Sequence, residues 1–250
     1  MTFYNQHSTA LVGAAGQPDD YFIDRSLRFR SSASAYLNRT LTTGTDGKRW
    51  TWSGWVKRGN IGASYAPIFA AGSSGSAYAA IWFQNDLLGL YSYNGATVYQ
   101  LYPSRVFRDP SAWYHIQYVY DSTQATASDR LAVYINGTKE TSFAAATYPA
   151  LNYTGYINSA YAHYFGQFTP ALGSLYFDGY LAEVNFIDGQ ALDPSYFGET
   201  DTVTGVWKPK RYAGSYGTNG FYLNFSDNTS TTALGYDTSG NGNNWTPSKF

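Results

Sequence analysis

Short stretches in which apolar and polar residues alternate run along most of the chain. Such alternation is typical of β-strands with one face turned to a core. Residues 50–58 place Trp50, Trp52, Gly54 and Val56 on one face and Thr51, Ser53, Trp55 and Lys57 on the other. Because both faces carry tryptophan, we expect this strand to be covered on both sides. Residues 180–187 alternate in the same way, with Tyr180, Ala182, Val184 and Phe186 sharing a face.

The clearest hairpin signal lies between residues 114 and 139. Tyr114, Ile116, Tyr118 and Tyr120 share a face of the first strand, and Leu131, Val133 and Ile135 share a face of the second. Asn136-Gly137 then predicts a type I′ turn, because both central residues of that turn need a positive φ. No helical period longer than two turns interrupts the pattern. We therefore predict an all-β fold, an antiparallel sandwich of about twelve strands. Its predicted core contains Trp52, Ile116, Val133, Tyr180, Val184 and Phe186.

Four segments carry a resemblance to a known family. They read SLRFRSSASAYLNR, WTWSGWVKRG, SDRLAVYINGT and FDGYLAEVNFIDGQALDPSYF. Over residues 25–250 the chain resembles the laminin-G-like or concanavalin-A-like jelly roll. The resemblance implies two packed antiparallel sheets, which mostly bind glycans and sometimes serve assembly.

The C-terminal segment 221–250 contains a strand followed by a turn rich in glycine and asparagine. In the family, a similar segment usually opens the domain, whereas here it comes last. The resemblance therefore implies a circularly permuted order, with Phe221 to Ser226 pairing back beside an N-terminal strand. A truncated second repeat is the alternative. Residues 1–24 lie outside the resemblance, and we interpret them as an extended arm joined to a jelly roll of residues 25–250.

Composition excludes several classes of function. The chain has 250 residues, a net charge of −1 and only 13% charged residues, and its basic residues are scattered. We therefore expect no nucleic-acid binding. It has no cysteine and no apolar run long enough to span a membrane, and we expect its first residues not to act as a signal peptide. The unusual quantity is an aromatic content of 19%, with 25 tyrosines.

Tyrosines concentrate in two segments that are candidates for contact with a glycan or with a protein partner. Aromatic rings dominate recognition surfaces, although tyrosine is also common in sandwich cores. The first segment, LYSYNGATVYQLY, contributes Tyr91, Tyr93, Asn94, Tyr99 and Tyr102. The second contributes Tyr153, Tyr156 and Tyr161. Either ligand class fits both segments.

Catalysis and metal binding have weaker support. Retaining glycosidases need two carboxylates about 5–5.5 Å apart. Glu183 and Asp188 are five residues apart, so on a regular strand they point to opposite faces, and we expect no enzyme activity. Family members often hold Ca²⁺, for which Asp178, Asp227, Asp237 and Asn241 are the candidates. We favour turn formation over calcium binding for these residues and predict no cofactor.

Three segments, FIDGQALDPSYFGE, TGVWKPK and YGTNGFYLNFSDN, resemble segments of virion proteins of marine bacteriophages. The resemblance implies a non-enzymatic accessory protein on the virion surface, made in the host cytoplasm, with other virion proteins as partners. One role is a lectin that binds host-surface polysaccharide, and the other is a capsid decoration protein without glycan binding. We expect a homo-oligomer, with a trimer favoured.

The arm at residues 1–24 is predicted to attach the sandwich to the virion or to a neighbouring copy. It carries more apolar side chains than a solvated tail needs: Phe3, Tyr4, Leu11, Val12, Tyr21 and Phe22. Such arms gain order by binding a neighbour's surface as an added strand or a strap.

Overall fold

A computed structural model describes residues 21–168 and 175–250. The first nine strands are β1 (Leu27–Phe29), β2 (Tyr36–Thr40), β3 (Arg49–Arg58), β4 (Ala66–Ser74), β5 (Ala77–Gln84), β6 (Leu87–Asn94), β7 (Thr97–Pro103), β8 (Tyr114–Asp121) and β9 (Leu131–Ile135). The remaining strands are β10 (Thr138–Lys139), β11 (Phe143–Thr147), β12 (Ala162–Phe165), β13 (Gly179–Asp188), β14 (Gly198–Thr200), β15 (Trp207–Pro209), β16 (Phe221–Leu223) and β17 (Thr246–Ser248).

Two antiparallel sheets form the sandwich. The seven-stranded sheet has the order β1-β13-β3-β8-β9-β10, with β16 also pairing β13. The eight-stranded sheet has the order β11-β7-β6-β5-β4-β12-β2-β17, and β14 and β15 form a separate hairpin. The all-β jelly-roll prediction is confirmed. The described residues contain more strands than the twelve expected, because several pairings involve only two or three residues. Their helices are short 3-10 turns, and none could cross a membrane.

The core lies between the inner faces of the two sheets. Trp50, Trp52 and Val56 of β3 are fully buried there. The hairpin signal was correct, since β8 pairs β9, and its predicted inner residues lie in or against the core. Asn136 and Gly137 have φ values of 49° and 75°, as a type I′ turn requires. The core is rich in ring contacts, such as the stacking of Trp50 on Tyr120 at 5.1 Å between centroids.

Strand β13 departs from regular alternation at Glu183. This residue has a φ of 49°, and the register between β13 and β3 shifts across it. A bulge of this kind inserts an extra residue and re-aims the side chains on either side. Leu181 precedes the bulge and Val184 follows it, and both are buried in the core. Tyr180 therefore lies on the outer face, and its assignment to the core was wrong.

The outer face of the seven-stranded sheet is covered, as the two-faced pattern of β3 predicted. Thr51 and Ser53 are buried on this face. The hydroxyl of Thr51 donates to the carbonyl of Gln190 and accepts from the backbone N–H of Leu192. The segment after β13 thus packs over the sheet, where a second apolar cluster contains Ile187, Phe197, Tyr212, Tyr216 and Tyr222.

The C-terminal segment returns to both sheets. β16 pairs β13 at Val184–Phe186, next to the residues of β13 that β1 pairs. β17 pairs β2 and thus makes the return to an N-terminal strand that was expected of β16. The proposal of a circularly permuted order stays a prediction.

The described part of the arm is anchored on β13. The hydroxyl of Tyr21 lies 2.5 Å from Glu183 Oε2 and 2.7 Å from the hydroxyl of Tyr222. The hydroxyl of Tyr222 donates to the same carboxylate oxygen. Phe22, by contrast, is 71% exposed. The other predicted anchors, Phe3, Tyr4, Leu11 and Val12, lie outside the described residues.

Asp188 is the polar centre of one end of the sandwich. Its side chain is buried and accepts hydrogen bonds from the backbone N–H groups of Thr45, Asp46 and Asn219 and from the Asn158 amide, at 2.6–3.2 Å. Burial alone would raise the pKa of Asp188, but these four donors favour the charged form and hold the pKa below its usual value. Three separate chain segments are joined through this one carboxylate.

We predict that Asp188→Asn lowers the free energy of unfolding by about 2–3 kcal/mol. Each carboxylate oxygen accepts two bonds, so an amide group in place of either oxygen would face two donors. The depressed pKa also has a pH signature. Its contribution is complete above the ordinary aspartate pKa of about 4 and is lost as pH falls through the lower, folded value. Denaturant titrations should therefore show a smaller stability loss below about pH 4 in the variant than in the wild type.

Asp227→Asn, in an exposed turn, is the matched control and should leave unfolding nearly unchanged. Equal stability of the Asp188→Asn variant and the wild type at pH 7 would contradict this account of Asp188.

Candidate functional site

The outer face of the eight-stranded sheet carries a cluster of aromatic rings. The cause is the alternation of β5 and β6. In β5 the aliphatic and aromatic residues Ala79, Ile81 and Phe83 point into the core, so Tyr78 and Trp82 point outward. We call this surface the aromatic face and define it by Tyr65, Tyr78, Trp82, Tyr91, Tyr93, Tyr102 and Phe168.

The rings of the aromatic face form a row across the neighbouring strands. Tyr65 contacts Trp82 edge-on at 4.9 Å, and Trp82 stacks with Tyr91 at 5.7 Å. Tyr91 in turn stacks with Tyr93 at 6.2 Å, with only 16° between the ring planes. Phe168 and Tyr78 back the row through a T-shaped contact at 4.7 Å. Mutual packing holds each ring in place, so the surface is rigid before any ligand arrives.

Gly89 allows one of these rings to lie flat against the sheet. A Cβ at this position would come within 2.2 Å of the Tyr102 ring. In this position the Tyr102 hydroxyl accepts a hydrogen bond of 2.7 Å from the indole N–H of Trp82. Gly89 is the direct cross-strand partner of Trp82, so the missing side chain is what brings the two rings together.

A shallow groove of about 510 Å³ runs along the aromatic face. Its polar lining consists of Gln84, Asn85, Thr97 and Gln100 together with tyrosine hydroxyls. Gln100 lies directly opposite Tyr91 across β6 and β7. Within the described residues its side-chain amide makes no hydrogen bond, so both its donor and its acceptor are available to a ligand.

Two buried hydroxyls of the aromatic face stay neutral at physiological pH. Burial raises the pKa of Tyr78 to about 12 and also raises that of Tyr102 above its usual value. These two tyrosines therefore offer the groove hydrogen-bonding groups and apolar ring surface without tyrosinate charge.

The structure separates the first group of predicted contact residues. Tyr91, Tyr93 and Tyr102 come together on the aromatic face, while Asn94 is exposed at the tip of the β6–β7 hairpin. Tyr99 is fully buried between the sheets, against Tyr120 and Tyr153, so its inclusion as a surface contact is corrected. The sequence grouped these residues by their closeness along the chain, whereas they lie mostly in two paired strands whose side chains alternate between the two faces.

The sequence analysis missed Tyr65, Tyr78 and Trp82 as members of this surface. The segment YAAIWFQ contains a signal for two of them, because Tyr78 and Trp82 are four residues apart and share a face of a strand. Tyr65 lies just before β4 and carried no comparable pattern.

The second predicted group lies together in a loop between β11 and β12. Tyr153, Tyr156 and Tyr161 line a pocket of about 450 Å³ with Ser159. Tyr156 and Tyr161 contact each other at 5.3 Å, while Tyr153 packs against the main core. This loop is a second, smaller candidate surface.

The calcium candidates all make hydrogen bonds within the protein, and those of Asp227 lie within a turn. Asp237 accepts four hydrogen bonds, from the backbone N–H groups of Tyr222, Ser239 and Asn243 and from the Ser239 hydroxyl. One oxygen of Asp227 accepts from the backbone and hydroxyl of the same nearby threonine. The amide of Asn241 and the carboxylate of Asp178 are also hydrogen-bonded. Among the described residues no cluster of acidic or histidine side chains could hold a metal ion.

Glu183 and Asp188 have separate environments. Glu183 is hydrogen-bonded to Tyr21 and Tyr222, and burial raises its pKa. Asp188 is enclosed by its four donors at the end of β13. Within residues 21–168 and 175–250, Glu183 and Asp188 share no hydrogen-bond partner.

A larger cleft, of about 820 Å³, lies on the outer face of the seven-stranded sheet. Its lining includes residues 21–26, Trp55, Trp113 and the β14–β15 hairpin. The described chain begins at Tyr21, which is itself part of this lining, and we assign the cleft no function.

Comparison with known proteins identifies the family. The model of the concanavalin A-like lectin/glucanases superfamily matches residues 29–195. The chain belongs to this superfamily. No curated protein matches it in sequence.

Solved structures share the fold at low sequence identity. A protein from Bacteroides ovatus, provisionally assigned to carbohydrate binding, aligns with a TM-score of 0.57 and 15% identity over 88% of this chain. This chain spans 56% of that protein's length. Domains LG4-5 of the mouse laminin α1 chain align with a TM-score of 0.48 and 14% identity, covering 84% of this chain and 50% of theirs.

We predict that Gly89→Ala disturbs the aromatic face and lowers the free energy of unfolding by about 1–3 kcal/mol, because the new methyl group must displace the Tyr102 ring. Tyr102→Phe is the companion variant. It keeps the ring and loses only the bond to Trp82, so its cost should be about 1 kcal/mol. Denaturant unfolding measures both. If Gly89→Ala proves no more costly than Tyr102→Phe, close packing of Tyr102 on Gly89 is not important.

Proposed function

We propose that the protein is a carbohydrate-binding module whose aromatic face binds glycan. The observation that supports this most strongly is the row of rings from Tyr65 to Tyr93 beside the free amide of Gln100. Membership of the lectin/glucanase superfamily agrees with this function. So does the fold shared with the Bacteroides ovatus protein, which is itself provisionally assigned to carbohydrate binding.

The physical basis is the two-sided chemistry of sugars. A pyranose ring has an apolar C–H surface that packs on aromatic rings and hydroxyl groups at its edge that form hydrogen bonds. Binding sites for small molecules combine such apolar surface with a few polar groups that fix orientation. The aromatic face has both, and its volume lies within the usual range for ligand pockets.

We further propose that the module is not an enzyme. Glycoside hydrolysis needs two carboxylates that flank the scissile bond. Neither Glu183 nor Asp188 lines the groove on the aromatic face. Both belong to β13 of the opposite sheet and are already committed to hydrogen bonds there.

The place of action is a separate proposal. The segments FIDGQALDPSYFGE and YGTNGFYLNFSDN support an accessory protein on a bacteriophage virion, bound to other virion proteins and displayed at its surface. In that setting the glycan is host-surface polysaccharide. The alternative is a capsid decoration protein that binds no glycan. A homo-oligomer, such as a trimer, agrees with symmetric display on a particle.

We predict that Tyr91→Ala and Tyr93→Ala each weaken glycan binding about tenfold, because each removes roughly 1.5 kcal/mol of ring contact. A glycan array on the wild type would identify a ligand, and calorimetry on each variant would give its affinity. Circular dichroism checks that both variants remain folded.

Tyr156→Ala, in the loop between β11 and β12, is the matched control and should bind normally. If Tyr156→Ala abolishes binding while Tyr91→Ala does not, the site is the loop pocket. Negative arrays, with particles that lose stability when the protein is removed, would instead support the decoration role.

We predict that deleting residues 1–20 leaves a folded sandwich that no longer incorporates into particles. This deletion keeps Tyr21 and its bond to Glu183, so it tests attachment without disturbing β13. Mass spectrometry of purified particles gives the copy number, and light scattering gives the oligomeric state. Normal copy number in the truncated protein would exclude the arm as the anchor.

A further inference from the structure

From the charge and shape of the groove we infer that its ligand is an uncharged, extended polysaccharide and not an acidic glycan. This inference deepens the proposed function and rests on it. It names a chemical class that neither the superfamily nor the fold determines.

The groove on the aromatic face offers no charge to an acidic sugar. None of the described residues that line it is Asp, Glu, Lys or Arg. The nearest charged residue in sequence is Asp86, between the lining residues Asn85 and Leu87. It is buried and paired with Arg58 at 2.9 Å and Arg108 at 3.0 Å, so its charge is already balanced. A uronate, sialic acid or sulfate placed here would lose hydration without gaining a cation.

The polar groups that are present suit hydroxyls. The side-chain amides of Gln100 and Asn85 form no hydrogen bond within the described part of the chain. The hydroxyls of Thr97 and Tyr91 are hydrogen-bonded to each other at 3.0 Å, and either can be the donor. An amide offers one acceptor and two donors, which matches neighbouring sugar hydroxyls that both give and receive. Thr97 and Gln100 lie on β7, which pairs with β6, and Asn85 lies in the tight turn between β5 and β6, so the paired strands fix the spacing of these groups.

The row of rings favours an extended chain over a single terminal sugar. Tyr65, Tyr91 and Tyr93 keep exposed surface along the row, whereas Trp82, which contacts both Tyr65 and Tyr91, is buried beneath them. Tyr91 and Tyr93 are 6.2 Å apart, which is close to the length of one sugar unit, so two neighbouring units can each contact a ring while Tyr65 extends the row beyond them. The groove is open and shallow, which lets a polymer pass across it.

The test uses the full chain and a defined set of polysaccharides. The neutral set is soluble β-glucan, mannan and galactan, and the acidic set is polygalacturonate, polysialic acid and heparin. Affinity electrophoresis ranks them, and calorimetry with oligosaccharides of two to six units measures how affinity depends on length. We expect binding to at least one neutral polymer, affinity that rises about tenfold or more from two to six units, and loss of that binding in Tyr91→Ala.

A variant that gains a positive charge tests whether charge is the reason that acidic polysaccharides do not bind. Gln100→Lys places a cation opposite Tyr91 and should gain affinity for polygalacturonate by about tenfold while remaining folded. Gln100→Glu should not gain it. These variants test whether the missing cation is what excludes acidic chains.

The outcomes distinguish a wrong ligand class from a complete lack of glycan binding. Binding to an acidic polymer that also needs Tyr91 would overturn the neutral class while leaving glycan binding intact. Equal affinity for the disaccharide and the hexasaccharide would overturn the extended chain. Binding to no member of either set would overturn this inference and count against the proposed function itself.

Discussion

Strict alternation along β5 and β6 is the constraint on which both the core and the aromatic face depend. Leu88 and Leu90 point between the sheets, and because successive side chains of a strand alternate, Tyr91 and Tyr93 point to the opposite face. A shift of one residue would bury the tyrosines and expose the leucines. Hydrophobic burial thus fixes the position of the rings that we propose bind glycan, and the site needs no separate element to hold it.

The sequence reveals the sandwich better than it reveals its surface. Alternation in β3, β8 and β9 is regular, and the inner faces follow from it. The bulge at Glu183 was not predictable, because a positive φ at a glutamate has no sequence signal of its own. Its effect was to turn Tyr180 outward. Tyr99 was assigned to the surface for a different reason, since it was grouped with its neighbours in sequence although alternation along β7 puts Tyr99 and Tyr102 on opposite faces.

The outer faces of the two sheets differ. One is covered by another part of the chain and serves stability, and the other is open and carries the proposed binding site. The seven-stranded sheet is covered by the chain after β13, and its buried polar groups, such as Thr51, find partners in that cover. Asp188 ties the same cover to the end of the sandwich. The eight-stranded sheet keeps a groove on its outer face, with amides that have no partner in the described chain. Open polar groups beside exposed rings mark the surface where a ligand can replace water.

The most direct test of the central claim is a crystal structure of the full chain bound to a neutral oligosaccharide. The account predicts sugar rings along the aromatic face, over Tyr91 and Tyr93, with a hydroxyl in hydrogen-bond contact with the Gln100 amide. An oligosaccharide bound instead in the loop pocket of Tyr153, Tyr156 and Tyr161, with the groove on the aromatic face empty, would contradict it.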